Sequence, residues 1–280
     1  LKTFILPLKR QGEIIGVVSM QRDITAIVKL TESLKISNEQ LKRSNEDLQQ
    51  FAHVTSHDLK EPVRKIKMYG NILKTDYAQL LPSRGNNYLE KIERATNRIS
   101  AMIDGVLQYS SIEGVGEAFM PVQLSETLKA ITEDLEVTIS EADAQISYER
   151  LPVINGSQTL IYQLFYNLIN NSLKFRNKER KCKIEITSSY ETVDNHSYLR
   201  IDLKDNGIGF ESVFAEKIFE SFSRLNSKDK YEGTGLGLAL CKKIVLRHKG
   251  FIKAFGKEDD GAMFSIFFPQ ESVLTNDDQP

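Results

Sequence analysis

Residues Phe51 to Lys65 read FAHVTSHDLKEPVRK, which sets His57 and Asp58 side by side in a long helical pattern, with Pro62 five residues beyond the histidine. His53 and His57 are four apart and share a helix face, a spacing that could hold a metal. The helical metalloprotease pattern needs Glu directly after its first His, however, and here Val54 follows His53. No third ligand is evident, so a metal site is disfavoured. A single histidine is most often a satisfied surface or core residue. What raises His57 above that reading is a phosphate-cradling pattern in the second half of the chain.

The helical pattern around His57 runs from about 26 to 77. Ile27, Leu34, Leu41 and Leu48 recur every seven residues, with Leu30, Ser37, Ser44 and Phe51 at the companion positions. This is a coiled-coil seam, weakened by its serines. A fifty-residue helix spans about 75 Å, more than one globular domain requires, so the seam is expected to pack against a second copy in a parallel homodimer. Pro62 lacks an amide hydrogen and predicts a kink just past His57. A second helix is expected over 84–111, with the stripe Tyr88, Ile92, Ala95, Ile99, Ile103 and Val106. The short connection predicts an antiparallel hairpin, and two hairpins make a four-helix bundle.

Ahead of the long helix, 3–9 and 13–22 read as strands about a turn at Gln11-Gly12. Two strands cannot bury a face alone, so the hairpin calls for sequence upstream or another domain. Leu1 falls inside a strand-like pattern, and an upstream membrane anchor stays open. Hydrophobic content of 40%, charged content of 27% and a net charge of -1 over 280 residues describe a folded chain with no bulk attraction to nucleic acid or anionic membrane. The basic run Arg176 to Lys183 reads as a solvated loop, and Cys182 and Cys241 as free thiols of a reducing cytosol. The expected location is the cytoplasm, either free or as the cytoplasmic part of a membrane-anchored protein. No contact with membrane or nucleic acid is expected of this stretch.

After Gly114, Gly116 and Pro121 the rhythm turns mixed. Strands are expected near 119–122, 145–149, 182–190, 197–204, 250–256 and 262–268, with helices over 124–140, 157–176 and 235–249. Interleaving of this kind predicts an α/β sandwich. Within it Asn167, Asn171 and Lys174 share a helix face, where an amide oxygen could ligate Mg²⁺ and a lysine could neutralise phosphate. An ordinary polar helix face would look the same. Asp205-Asn206-Gly207-Ile208-Gly209 follows a strand, and a carboxylate there can accept from an exocyclic amine, although turns also take this form. Gly233, Gly235 and Gly237 then lead into a helix, where free amides and the helix dipole favour an anion. Phe219, Phe222 and Arg224 lie between the glycine segments as a lid.

Taken in order, FAHVTSHDLKEP, LIYQLFYNLINNSLKF, DNGIGF, IFESFSRL and GTGLGLAL resemble the histidine, asparagine, first glycine, phenylalanine and second glycine boxes of sensor histidine kinases. GEIIGVVSMQRDIT resembles the last hairpin of a PAS domain. The resemblance implies an α+β multidomain protein. A truncated PAS-like hairpin (1–25) leads through a coiled-coil signalling helix (26–50) to a dimerisation and phosphotransfer hairpin (51–113). An α/β-sandwich ATP-binding domain of the histidine kinase/Hsp90-like type (114–270) and a disordered tail (271–280) follow.

The same resemblance implies the roles. His57 would be the phosphoacceptor, and Asp58 would orient its ring as general base. Asn171 would hold Mg²⁺ with support from Asn167, Lys174 would contact phosphate, and Phe175 would lie against adenine. Asp205 would accept from the adenine amine, with Gly207 and Gly209 shaping that wall. Gly233, Gly235, Gly237 and Leu238 would form the triphosphate cradle and lid hinge, and Arg224 would reach toward the γ-phosphate. ATP and Mg²⁺ are the implied cofactors, and the receiver domain of a response regulator the implied partner. Many members carry Thr or Asn where Glu61 stands, which puts phosphatase activity in doubt. Ser172 replaces the commoner alanine, a change expected to be harmless. Two alternatives remain at this point, a catalytically degenerate dimeric scaffold and a non-kinase ATPase of the same fold.

Overall fold

The computed structural model describes residues 2–10, 12–77, 79–112, 118–225 and 233–274. The chain divides into two units, Leu1–Phe51 and Ala52–Pro280.

In the first unit, β1 (Lys2–Arg10) and β2 (Glu13–Arg22) pair antiparallel, with a register shift between Leu8 and Lys9. Apolar side chains on both strands, Ile5, Leu6, Ile14 and Ile15 among them, are exposed, as expected of two strands with nothing to cover them. Helix α1 (Thr25–Asp76) begins where the Asp23 carboxylate accepts from the Thr25 amide at 2.9 Å. The seam residues Ile27, Leu34, Leu41 and Leu48 are exposed.

In the second unit α1 continues unbroken through Pro62, which withholds the amide that would bond the Asp58 carbonyl. Helix α2 (Ser83–Ser111) returns alongside it. The antiparallel register is marked by Lys60 to Asp104 at 2.7 Å and Lys74 to Glu93 at 2.8 Å. Val63, Thr96 and Ile103 are buried, while Leu59, Ile66, Ile72, Leu73, Ile92 and Ile99 remain exposed. No helix among the described residues is long and apolar enough to cross a membrane.

The mixed half starts with β3 (Met120–Gln123). The expected helix over 124–140 is two helices, α3 (Leu124–Asp134) and α4 (Glu136–Glu141), because Leu135 leaves helical geometry at φ -96°, ψ 8°. β4 (Gln145–Tyr148), β5 (Val153–Gly156) and α5 (Gln158–Lys174) follow. Then come β6 (Lys183–Val193), β7 (His196–Asp205), α6 (Gly237–Arg247), β8 (Phe251–Lys257), β9 (Gly261–Pro269) and β10 (Val273–Leu274). The main sheet has the order β4-β6-β7-β9-β8, parallel only between β4 and β6. A smaller sheet has the order β10-β5-β3.

One face of the main sheet (Ile184, Leu203, Ile252, Ile266, Phe268) is buried against Phe165, Leu168 and Ile169 of α5 and Ile244 of α6. This gives the two-layer arrangement expected of the period-2 and period-3.6 patterns. The ends of α5 and α6 are tied by His248. It accepts from the Ser157 amide at 3.2 Å and bonds the Ile244 carbonyl at 2.8 Å, so it is a satisfied core histidine whose protonation is disfavoured by burial.

Two further departures from the sequence pattern are found, one strand not expected and one tail expected to be disordered. β5 is only four residues long and carries no strong strand signal, so it escapes sequence reading. The tail after Pro269 is ordered over its first residues: Gln270–Ser272 form a turn, and Val273 and Leu274 pair with Ile154 and Val153. β5 has an edge left open by β3, and these two apolar residues cover it. Residues 275–280 and the expected boundary at Gly114 and Gly116 lie outside the described residues.

Candidate active site

A cavity of about 910 Å³ opens over the α5–α6 layer. Asn167, Asn171, Lys174 and Phe175 reach it from the last turns of α5, Asp205 and Gly209 from the end of β7, and Arg224, Gly233, Gly235, Gly237 and Leu238 from the segment leading into α6. Of the nucleotide residues expected from sequence only Gly207 is absent from its lining. Gly207 sits one step behind, donating its amide to Asp205 at 2.8 Å.

The Asp205 carboxylate is 7% exposed. Its Oδ1 accepts from the amides of Gly207 at 2.8 Å and Ala262 at 3.2 Å, and its Oδ2 accepts from the Ser172 hydroxyl at 2.9 Å. Burial pushes its pKa up, and these three donors and Arg180 pull it partly back. A carboxylate oxygen offers two acceptor positions, so Oδ2 retains one. At Gly209, φ is +63° and a Cβ would lie 1.9 Å from the Lys257 carbonyl, so no other residue fits between the loop and the β8–β9 turn.

Gly237, also in the lining, opens α6, whose N-cap residue Leu236 offers no side-chain acceptor. The first amides of α6 are therefore available to an anion. A Cβ on Gly237 would lie 3.5 Å from Asn167 Oδ1 and 3.9 Å from Asn171 Nδ2, so both amides face this helix end. A Cβ on Gly233 would lie 2.6 Å from Lys174 Nζ, and that ammonium also stands 4.5 Å from the Phe175 ring centre. Arg224 donates to the Gly233 carbonyl at 2.7 Å.

His57 and Asp58 lie apart from the cavity lining, on α1. His57 Nδ1 is 3.3 Å from Asp58 Oδ1, and the histidine side chain is 78% exposed. With Nδ1 toward the carboxylate, the favoured tautomer carries its proton there and leaves the Nε2 lone pair free. Glu61, one turn on, pairs with Lys65 at 2.8 Å.

Comparison with known proteins bears on both halves. Residues 156–272 match the histidine kinase-, DNA gyrase B- and HSP90-like ATPases, and residues 47–115 match the His Kinase A (phospho-acceptor) domain. The chain belongs to the sensor histidine kinases. Among similar proteins, cyanobacterial phytochrome A of Nostoc sp. is 33% identical over 93% of the chain. Cyanobacterial phytochrome B of the same organism is 36% identical over 92%. The chain spans only about a third of each, 34% and 33% of their lengths. Full-length ShkA in complex with AMPPNP shares the fold, with a TM-score of 0.60 and 20% identity over 81% of this chain and 46% of that one.

Two residues that support the cavity wall escaped sequence reading. Ser172, expected to be harmless, donates to the buried Asp205; its one-turn spacing after Leu168 on the core face of α5 was the available signal. Arg180, read as part of a solvated loop, bonds the carbonyls of Gly207 at 2.7 Å and Asp259 at 2.6 Å, bracing the first glycine loop to the β8–β9 turn. No sequence signal marks that contact, whose partners lie 27 and 79 residues away. Ser172→Ala is expected to cost about 1–3 kcal/mol of stability at neutral pH, where the hydroxyl serves the charged carboxylate, and less once Asp205 is protonated. Thermal unfolding at pH 7 and pH 4 measures the difference; an equal loss at both would show that the hydroxyl does not serve the charge.

Proposed function

We propose that the protein is a dimeric histidine kinase that takes the γ-phosphoryl group of Mg-ATP onto His57 and passes it to an aspartate of a response-regulator receiver domain. What supports this most is the make-up of the cavity lining. It combines a buried carboxylate that has a spare acceptor with Lys174, Arg224 and the first residues of α6, whose amides have no side-chain cap. An adenine amine suits the first and a polyphosphate the second. Gly233 and Gly237 leave open the space a side chain would fill.

In this reading Asn171 offers its amide oxygen to Mg²⁺ and Asn167 supports it, while Lys174 neutralises phosphate charge. Phe175 packs beside the base, and Gly207, Gly209 and Arg180 hold the adenine wall. Gly233, Gly235 and Leu238 shape the lid and cradle. Arg224, bonded to the Gly233 carbonyl through Nη1, has further guanidinium donors with which to reach phosphate. Bound Mg-ATP supplies an electrophilic phosphoryl group. Asp58 keeps the proton on Nδ1 of His57, leaving Nε2 to attack. Positioning and charge neutralisation are what such transfers need. Glu61 cannot present the donor that a phosphatase step uses, so net phosphatase activity is expected to be low.

The exposed seam of α1 and the exposed stripe Leu59, Ile66, Ile72, Ile92 and Ile99 support a homodimer forming a four-helix bundle. A cytoplasmic location follows from use of ATP. Incubation with γ-labelled Mg-ATP is expected to give an acid-labile, base-stable label, absent in His57→Gln. A label that survives this substitution would move the acceptor elsewhere, and no label at all would leave a nucleotide-binding protein without kinase activity.

A further inference from the structure

The cavity has a second wall that the catalytic half does not build. Lys91, Arg94, Ala95, Asn97, Arg98 and Ala101 of α2 line it opposite the nucleotide residues. Three of these six are cations, spaced three and four apart on one face of the helix. Elsewhere on the hairpin, Lys60, Lys65 and Lys74 are neutralised by Asp104, Glu61 and Glu93, whereas Arg64 and Lys67, which do not line the cavity, make no ion pair among the described residues. Arg94 has only Glu90, at 3.8 Å, and among the described residues no ion pair reaches Lys91 or Arg98. Together with Lys174 and Arg224, five cations line the cavity, and Asp205 is the only carboxylate lining it among the described residues. Like charges gathered about one space repel unless an anion lies between them.

We propose that Lys91, Arg94 and Arg98 form a second polyphosphate-binding wall, so that a nucleoside di- or triphosphate fastens the catalytic half to α2 in a resting arrangement. The proposal rests on the kinase reading insofar as the cavity takes a nucleotide. Helix register explains why the arrangement is at rest. Lys60 pairs with Asp104, so His57 stands level with residues just beyond Asp104 on α2. At 1.5 Å per residue, Arg98 lies about 14 Å and Lys91 about 24 Å along the helix from that level. A phosphate held there is far outside the roughly 3–3.5 Å of a near-attack geometry. The catalytic half also grips α2 nearer His57: Lys243 Nζ donates to the Tyr109 carbonyl at 3.1 Å, and Leu236 packs against Gly105, where a Cβ would come within 2.9 Å. Activation in this scheme releases the phosphates from the α2 wall before the transfer.

The test is the double variant Lys91→Ala/Arg98→Ala of this chain, two exposed positions whose loss leaves the helix core intact. Calorimetric titration with ATP, ADP and AMP is expected to show about five- to tenfold weaker ATP and ADP binding, AMP within twofold of wild type, and a shallower dependence of ATP affinity on salt. The rate of His57 labelling at saturating ATP is expected to rise. Unchanged ATP affinity, an equal loss for AMP, or a slower rate at saturation would each overturn the proposal. Wild-type chain that binds ATP and labels His57, paired with a variant of unaltered affinity, sinks the α2 wall alone. Wild-type chain that binds no nucleotide sinks the kinase reading along with it.

Discussion

Asp205→Asn is expected to weaken ATP binding by about 100-fold or more while the fold survives. The carboxylate takes two backbone amides on Oδ1, and an asparagine oxygen can keep both. The new amide nitrogen then replaces Oδ2. There it can donate to Ser172, whose hydroxyl accepts as readily as it donates. Toward a base carrying an exocyclic amine, however, a donor now faces a donor. A buried mismatch of this kind costs several kcal/mol. The same change is expected to improve binding of inosine triphosphate, which presents an oxygen where adenine presents the amine.

Stability is expected to move the other way. Burial raises the Asp205 pKa, so the folded state holds its proton more tightly than the unfolded chain. The favourable contribution is present in full below the unfolded pKa and is lost as pH rises through the folded one. At neutral pH the native protein thus carries a cost that asparagine removes, and the Tm of the variant at pH 7 should equal or exceed that of wild type. Retained ATP affinity in a folded Asp205→Asn protein would show that the carboxylate does not read the base.

The second large effect is expected at Asp58. Asparagine in its place can offer Nδ1 of His57 either an oxygen or a nitrogen, and the latter favours the tautomer whose proton blocks Nε2. Losing both the charge and the tautomer preference is expected to slow single-turnover phosphorylation of His57 by about 100-fold, within the range of positioned acid–base groups. ATP affinity should stay within twofold, because Asp58 lies outside the cavity lining. The bond at 3.3 Å is exposed in the present arrangement, so its worth depends on tightening as the phosphoryl group approaches. A rate within threefold of wild type would remove Asp58 from the proton-handling role.

Much of the site was legible before any coordinates. Asn167, Asn171 and Lys174 share a face because helical spacing dictates it, and Gly233, Gly235 and Gly237 lead into the start of α6, where free amides favour an anion. Those are local relations, set within one or two turns of chain. The bond made by Ser172 went unseen and Arg180 was misjudged because their partners are remote. Whether a serine on a helix is idle depends on what stands opposite, and only packing of α5 against β7 brings Asp205 there. The tail went wrong for a related reason: Val273 and Leu274 have no strand signal of their own and become one only because β5 presents an open edge. The break at Leu135 is a further case, since α3 and α4 together read as one periodic helix.

What the order of residues determined alone was the inventory: a histidine with its neighbouring carboxylate, a long apolar seam, and asparagine and glycine motifs in a fixed order, whose resemblance to the boxes of sensor histidine kinases implies a phosphoacceptor and a nucleotide module. Periodicity and short-range geometry suffice for the seam and for each shared helix face, because each is satisfied within a single element. Tertiary structure alone decided how Asp205 is held, which arginine braces the glycine loop, and that cations of α2 face the cavity that Lys174 lines. Burial, charge opposition and remote hydrogen bonds are properties of two surfaces brought together, and no stretch of chain carries them by itself.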